Sequence, residues 1–233
     1  MLRSCTQLVK GLTCRPSARC RLDAVRSRGV VDRISLVPFS NASVTTDCAL
    51  PNDSWSPDML EQFNKFMEMT RDGTWKRLPS YRKFMEKVTL GGKEYVLKRA
   101  PNSRFFMRSI DKEGLGFEYV MFLNQAQKRL VCLFQPGIYL EGPPGFAHGG
   151  STAAILDSTL GGCAFYMAGR IMTGNLNINY KSPIPLGSVV LVESKLDRVE
   201  GRKVFMTGHI RSADGQTLHA EATGKSLFVL SQP

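Results

Sequence analysis

Between residues 57 and 70 the apolar positions Met59, Leu60, Phe63, Phe66 and Met67 recur at the three- and four-residue spacing of one helix face. Ser56-Pro57-Asp58 in front of them offers a cap, a first-turn proline and a first-turn acid, and Gly73 offers a stop. The pattern predicts an amphipathic helix over 57–70, lying on a larger domain. Residues 36–56 read as turn-rich, and 74–100 as basic and irregular with a Gly91-Gly92 turn. From residue 104 the texture changes: 104–110, 117–123 and 129–135 are rich in Phe, Tyr, Val and Leu and read as strands, with 124–128 as a hairpin turn. Residues 147–167 are dense in Ala, Leu, Ile and Met and predict one long helix, apolar on most sides and therefore buried. Four further strands are expected over 171–181, 188–199, 203–212 and 218–230. They alternate well: Leu176, Ile178 and Tyr180 oppose Asn175, Asn177, Asn179 and Lys181, and Val204, Met206 and Ile210 oppose Lys203, Phe205, Thr207 and His209. Short connections between them favour antiparallel pairing. A long central helix wrapped by an antiparallel β-sheet is an α+β architecture, here over residues 101–233, with 37–100 as an N-terminal helical extension.

Charge separates the first 36 residues from the rest. The 233-residue chain carries a formal +11, and residues 1–35 supply +6 of it through eight basic against two acidic side chains. An Arg-rich, acid-poor start with Ser and scattered apolar residues fits a mitochondrial transit peptide over 1–36, and it lacks the continuous apolar stretch of a secretory signal. Without it the chain is mildly basic, and the electrostatic case for nucleic-acid binding fades. No run of about 18 apolar residues is free of charge, which argues against a transmembrane helix and for a soluble globular protein. Cys48, Cys132 and Cys163 share no CxxC spacing, and only His148, His209 and His219 are present, so neither metal nor cofactor is expected. His209 and His219 read as surface residues. There is no Gly-x-Ser-x-Gly elbow and no phosphate-binding loop.

The densest chemical signal is His148-Gly149-Gly150 followed by Asp157. A Gly-Gly pair opening a helix leaves N–H groups that a ligand oxygen can approach, at the positive end of the helix dipole. That suits an oxygen gaining negative charge. Asp157 interrupts the apolar run Ala153, Ala154, Ile155, Leu156, Leu160. A carboxylate buried there is either functional, as a general base, or paired with a neighbouring loop or an Arg. Gly149 and Asp157 lie about 12 Å apart along a helix, so one chain cannot close both around a single small carbonyl. Either they act in different places, or two chains assemble the site. His148 either orients the turn or polarises a carbonyl, and its place just before a helix slightly favours orientation. Thr173 either positions a group near Asp157 or is an ordinary strand residue.

His148-Gly149-Gly150 with Asp157, set in Leu140-Glu141-Gly142-Pro143-Pro144-Gly145-Phe146-Ala147, resembles the motif of the hotdog-fold acyl-CoA thioesterases. Together with Asn175-Leu176-Asn177-Ile178-Asn179-Tyr180-Lys181, Glu200-Gly201-Arg202-Lys203 and Gly116-Phe117-Glu118-Tyr119-Val120, it is similar to the group of thioesterase superfamily members 4 and 5. The similarity covers about residues 47–229, apart from a stretch near 82–103. It implies a hotdog fold, a homodimer with two composite active sites, and hydrolysis of medium- to long-chain fatty acyl-CoA to free fatty acid and CoA, without a cofactor. Asp157 then matches the base or nucleophile, the Gly149 amide the group that polarises the thioester carbonyl, His148 the motif histidine and Thr173 the accompanying hydroxyl. Asn179, Lys181, Arg202, Lys203, Val204, Phe205, Met206 and Thr207 match positions that contact the CoA part. Three of these, Lys181, Arg202 and Lys203, suit its phosphates. Some relatives place an Asn or Gln shortly before the motif, where this chain has Leu140-Glu141-Gly142. The resemblance further implies a mitochondrial location, in the matrix or at the inner membrane by peripheral contact; a cytoplasmic pool is compatible with it. One member of the group is associated with the kinase Akt (protein kinase B). The alternative is therefore a non-catalytic regulatory binding protein using the 57–70 helix or the basic stretch 74–88.

Overall fold

The computed structural model describes residues 46–82, 87–90, 93–96 and 104–229. The expected transit segment 1–36 and the Gly91-Gly92 turn lie outside them. Helix α1 (Pro57–Met69) starts as its sequence predicts: the Ser56 hydroxyl accepts the Met59 N–H at 3.2 Å, Pro57 sits in the first turn and Asp58 faces the dipole. It ends at a Thr70 cap rather than at Gly73, which takes φ +77° in the following turn. Helix α2 (Gly149–Ala168) is capped by His148 and stops at Gly169, whose φ of +99° only glycine adopts without strain.

Seven strands form one antiparallel sheet. They are β1 (Lys76–Leu78), β4 (Phe117–Asn124), β5 (Arg129–Pro136), β6 (Ile171–Tyr180), β7 (Val190–Glu200), β8 (Lys203–Ser212) and β9 (Leu218–Phe228), in the order β1-β4-β5-β7-β8-β9-β6. A separate antiparallel pair is formed by β2 (Lys87–Leu90) and β3 (Lys93–Val96). The stretch expected to be irregular thus holds three strands; three or four residues are too few for alternation to show.

Alternation along β4 and β5 explains the layering. Leu123, Leu130, Cys132 and Phe134 meet α2 through Ile155, Leu156, Leu160 and Cys163. Their neighbours Val120, Phe122, Val131 and Leu133 meet α1 through Met59, Phe63 and Phe66. Both faces of these strands are covered, so they read as continuous apolar runs. Each large side chain buried there is worth about 1.5–3 kcal/mol relative to exposure. The apolar stripe of α1 is therefore packing surface. β6, β8 and β9 carry α2 on one face only, which is why they alternate, and β6 is an edge strand.

Residues 104–110 depart from the strand expected of them. Phe106–Arg108 form a 3-10 turn, in which Phe106 is exposed and Arg108 is buried. The Arg108 guanidinium donates to the carbonyls of Phe117 and Tyr119 at 3.1 and 2.7 Å and stacks on the Tyr119 ring, so a charged side chain, together with the buried Met107, fixes this segment. Among the described residues no helix is long and apolar enough to cross a membrane.

Asp47 ties the N-terminal segment to the sheet. Its carboxylate accepts the N–H groups of Ala49 and Ser80 at 3.0 and 2.9 Å and pairs with Arg77 at 2.8 Å. Burial pushes this carboxyl up, but the two N–H groups and Arg77 outweigh it and hold it below its ordinary 3.8. A depressed acid stabilises the fold above its unfolded pKa, and that contribution is lost as pH falls below about 3.8 through the folded value. Asp47→Asn is expected to melt earlier than the parent at pH 7 and to lose less on acidification. Identical melting curves at pH 7 would contradict the assignment.

Candidate active site

The loop before α2 is held by its own backbone. Gly142 N–H donates to Phe146 C=O at 2.9 Å, His148 N–H to Leu140 C=O at 2.7 Å, and Ala147 N–H to Ile184 C=O at 2.9 Å. A side chain at Gly142 would put its Cβ 2.8 Å from the His148 backbone, so glycine is required for this close approach. His148 then caps α2: its Nδ1 accepts the Gly150 N–H at 2.9 Å. This contact holds the turn in shape, and the rest of the ring is exposed. The Gly149 N–H makes no hydrogen bond among the described residues, while the Gly149 C=O accepts the Tyr180 hydroxyl at 3.0 Å. Beside them lies an open recess of ≈ 280 Å³ lined by Ala147, Gly149, Thr152, Tyr180, Lys181 and Ile184.

Asp157 sits two turns further along α2. The Thr173 hydroxyl donates to its Oδ1 at 2.9 Å, so the two side chains stand together. No Arg pairs with Asp157 among the described residues. The carboxylate is half-buried, not enclosed. α2 buries only one side, through Ile155, Leu156, Thr159, Leu160, Cys163 and Ala164, and leaves Ala154, Asp157, Gly161 and Phe165 on a half-open face. The apolar composition that predicted burial all round is correct in kind, but a single chain covers only part of it.

A bulge decides which residues of β6 reach α2. Thr173 pairs with Ser226 and Asn175 with Lys225, so Gly174 is the extra residue. Without it Thr173 and Tyr180, seven apart, would face opposite sides; with it Thr173, Leu176, Ile178 and Tyr180 all face the helix. Glycine in a strand interior was the available sequence signal for it.

The expected CoA-contact positions divide between the two faces of the sheet. Val204 and Met206 are buried against α2 in the core. Lys203, Phe205 and Thr207 lie on the opposite face, where the Arg198 guanidinium stacks on the Phe205 ring at 3.9 Å. Asn179 faces the same way, opposite Glu221 in register, and Lys181 Nζ pairs with Glu221 at 3.2 Å. Arg202 is exposed in the β7–β8 turn, its C=O bound by the Phe228 N–H at 3.1 Å. Within one chain β6 and β8 are separated by β9, about 10 Å apart, and Asn179 is level with His209, so Asn179 and Lys181 stand further than that from residues 202–207. His219 is buried, not on the surface: its ring meets the Ser182 C=O at 3.3 Å, and its own C=O accepts the Lys181 and Ser182 N–H groups. Burial pushes the Cys132 and Cys163 thiols up to about 12 and about 11, which makes them inert core residues.

Comparison with known proteins matches this arrangement. A family model described as "Thioesterase superfamily" fits residues 144–219, the stretch that holds His148-Gly149-Gly150, α2, Thr173 and strands β6, β7 and β8. Across the whole chain, "Acyl-coenzyme A thioesterase THEM4" of Xenopus laevis is 45% identical over 230 residues, 98% of each chain. "Acyl-coenzyme A thioesterase THEM5" of Homo sapiens is 44% identical over 181 residues, 76% of this chain and 73% of that one. A Candida albicans protein named "Uncharacterized protein, mitochondrial" is 27% identical over 95 residues, 40% of this chain and 43% of that one. The fold is the hotdog fold that the motif implied. Within that class, the chain belongs to the thioesterase superfamily, beside THEM4 and THEM5.

Proposed function

We propose that this chain is an acyl-CoA thioester hydrolase that acts on medium- to long-chain fatty acyl-CoA, with each active site assembled from two copies. The observation that carries this reading is the Asp157–Thr173 pair on the half-open face of α2. An acid with one oxygen held by a hydroxyl keeps the other available for a water or a carbonyl carbon. The thioester oxygen takes the Gly149 N–H at the positive end of α2, where negative charge develops as the carbonyl is attacked. His148 keeps the turn in shape. Asp157 either takes a proton from the attacking water and passes it to the departing CoA sulfur, or attacks the carbonyl itself, so that CoA leaves as thiolate and water then hydrolyses the acyl anhydride to the free fatty acid and regenerates the carboxylate.

The rise along α2 requires the Gly149 amide of one copy to work with Asp157 of the other. Two features support such a dimer. The half-open face of α2 exposes Asp157 where a second copy would cover it, and β6 leaves one edge unpaired. Lys181, Arg202 and Lys203 then supply positive charge for the CoA phosphates, with Asn179, Phe205 and Thr207 beside them and Val204 and Met206 holding the strand in place. The Arg-rich start directs the chain to mitochondria, in line with the naming of the Candida relative. The alternative of a regulatory partner for the kinase Akt draws no support from α1, whose apolar side is packed on the sheet.

Free-thiol release from an acyl-CoA panel of increasing chain length tests the reading. Turnover that is highest on medium to long chains is expected. No turnover on any member by folded, dimeric protein would overturn it.

A further inference from the structure

Edge strand β6 touches α2 through a hydroxyl at each of the two positions that carry the chemistry. Thr173 reaches Asp157 at 2.9 Å, and Tyr180 reaches the Gly149 carbonyl at 3.0 Å. The first contact is the pair on which the proposed function rests; the second plays no part in it so far. We propose that Tyr180 is a positioning residue for the hydrolysis: its hydroxyl holds the first turn of α2 so that the Gly149 N–H stays aimed at the thioester oxygen, and its ring walls the recess where that oxygen binds. The inference rests on the reading of this chain as a thioester hydrolase.

Three observations carry it. The Tyr180 ring is 3.8 Å from the Cβ position of Gly149, so it lies against the first-turn residue of α2 whose amide has no partner among the described residues. The ring also lines the ≈ 280 Å³ recess together with Gly149, Thr152 and Lys181. And Tyr180 is 56% exposed, so packing does not account for its orientation toward the helix. The Gly174 bulge supplies that orientation, because it brings Tyr180 to the same face as Thr173.

The first turn of a helix is where the backbone is least constrained. Its N–H groups have no intrahelical acceptors, and two successive glycines at 149 and 150 remove the side chains that would otherwise restrict it. His148 fixes the Gly150 N–H from one side of the turn. Tyr180 fixes the Gly149 C=O from the other, anchored through β6 to the sheet. An oxyanion donor is useful only when it is held in place before charge develops, since a misplaced donor must reorganise during the reaction. Loss of the hydroxyl should therefore act on turnover more than on substrate capture, which falls to the CoA contacts and the acyl chain.

The test compares Tyr180→Phe with the parent enzyme on one long-chain acyl-CoA, with Asp157→Ala as the reference for the underlying reading. Tyr180→Phe is expected to lower kcat about tenfold with KM within about twofold. Its melting temperature should stay within about 4 °C of the parent's, as for loss of a single exposed hydrogen bond in a chain of this size. Amide exchange of the 149–153 segment in the ligand-free protein should become faster while that of β7 and β8 is unchanged. A kcat equal to the parent's, in a setting where Asp157→Ala is inactive, overturns the role of Tyr180 and leaves the hydrolase reading standing. A rise in KM alone reassigns Tyr180 to binding and also overturns it. An Asp157→Ala protein as active as the parent removes the hydrolase reading itself. Should Tyr180→Phe melt much earlier, the exchange pattern decides: loosening spread over the whole sheet means a structural residue and rejects the proposal.

Discussion

Gly149→Pro is expected to lower kcat for thioester hydrolysis by about 10²–10³, the usual cost of removing one oxyanion donor. Proline deletes the N–H at this position and little else. Gly149 is the first residue of α2, where proline is favoured because its fixed φ suits the helix and the missing N–H has no intrahelical acceptor. The residue before a proline must be extended, and His148 already sits at φ −61°, ψ 140°. The nearest atoms to a Cβ at Gly149 are those of the Tyr180 ring at 3.8 Å, which is ordinary contact. Helix content and melting temperature should therefore be close to the parent's while turnover is lost. A Gly149→Pro protein with near-parental kcat would mean that another group polarises the carbonyl.

Asp157→Ala is expected to cost at least about a hundredfold in kcat, with the fold and the oligomeric state retained. Asp157 is half-buried on the half-open face of α2, outside the core that one chain packs around Ile155, Leu156 and Leu160, and in the proposed dimer it borders the substrate site, so its removal opens onto that site and leaves the core intact. It leaves the Thr173 hydroxyl without its acceptor, and the water that enters the active site in place of the carboxylate replaces the bond. The decisive readout is free-thiol release under saturating acyl-CoA, together with binding of a non-hydrolysable thioether analogue. Lost turnover with retained binding assigns Asp157 to the chemistry. Retained turnover would return it to the bland role of a polar residue at an interface.

Most of the fold can be read in the sequence, because its elements follow simple periods. Strands β6–β9 alternate because one face meets α2 and the other meets water, and α1 shows its stripe because it lies on a sheet. The alternation even separates Val204 and Met206, which enter the core, from Lys203, Phe205 and Thr207 on the other face. Three features escape such reading for identifiable reasons. Alternation counts histidine as polar and therefore external, yet His219 is buried with a carbonyl partner. Periodicity assumes an unbroken register, whereas Thr173 reaches Asp157 only because Gly174 inserts one residue. And an apolar helix indicates burial without saying by what: the half-open face of α2 becomes visible only once one chain's coverage is known. Tyr180 was visible in the pattern, in phase with Leu176 and Ile178, but a tyrosine among strand apolar positions looks like ordinary packing until its bond to Gly149 is seen.

The central claim is that one active site takes its amide from one copy and its carboxylate from another. Co-expression of Asp157→Ala and Gly149→Pro chains carrying different affinity tags, followed by purification of the mixed dimer through both tags, tests it directly. Each homodimer is expected to be inactive. In the mixed dimer one site receives both substitutions and the other receives neither, so it should recover about half the activity of the parent dimer. A verified mixed dimer no more active than either homodimer would contradict the composite site and place both groups within a single chain.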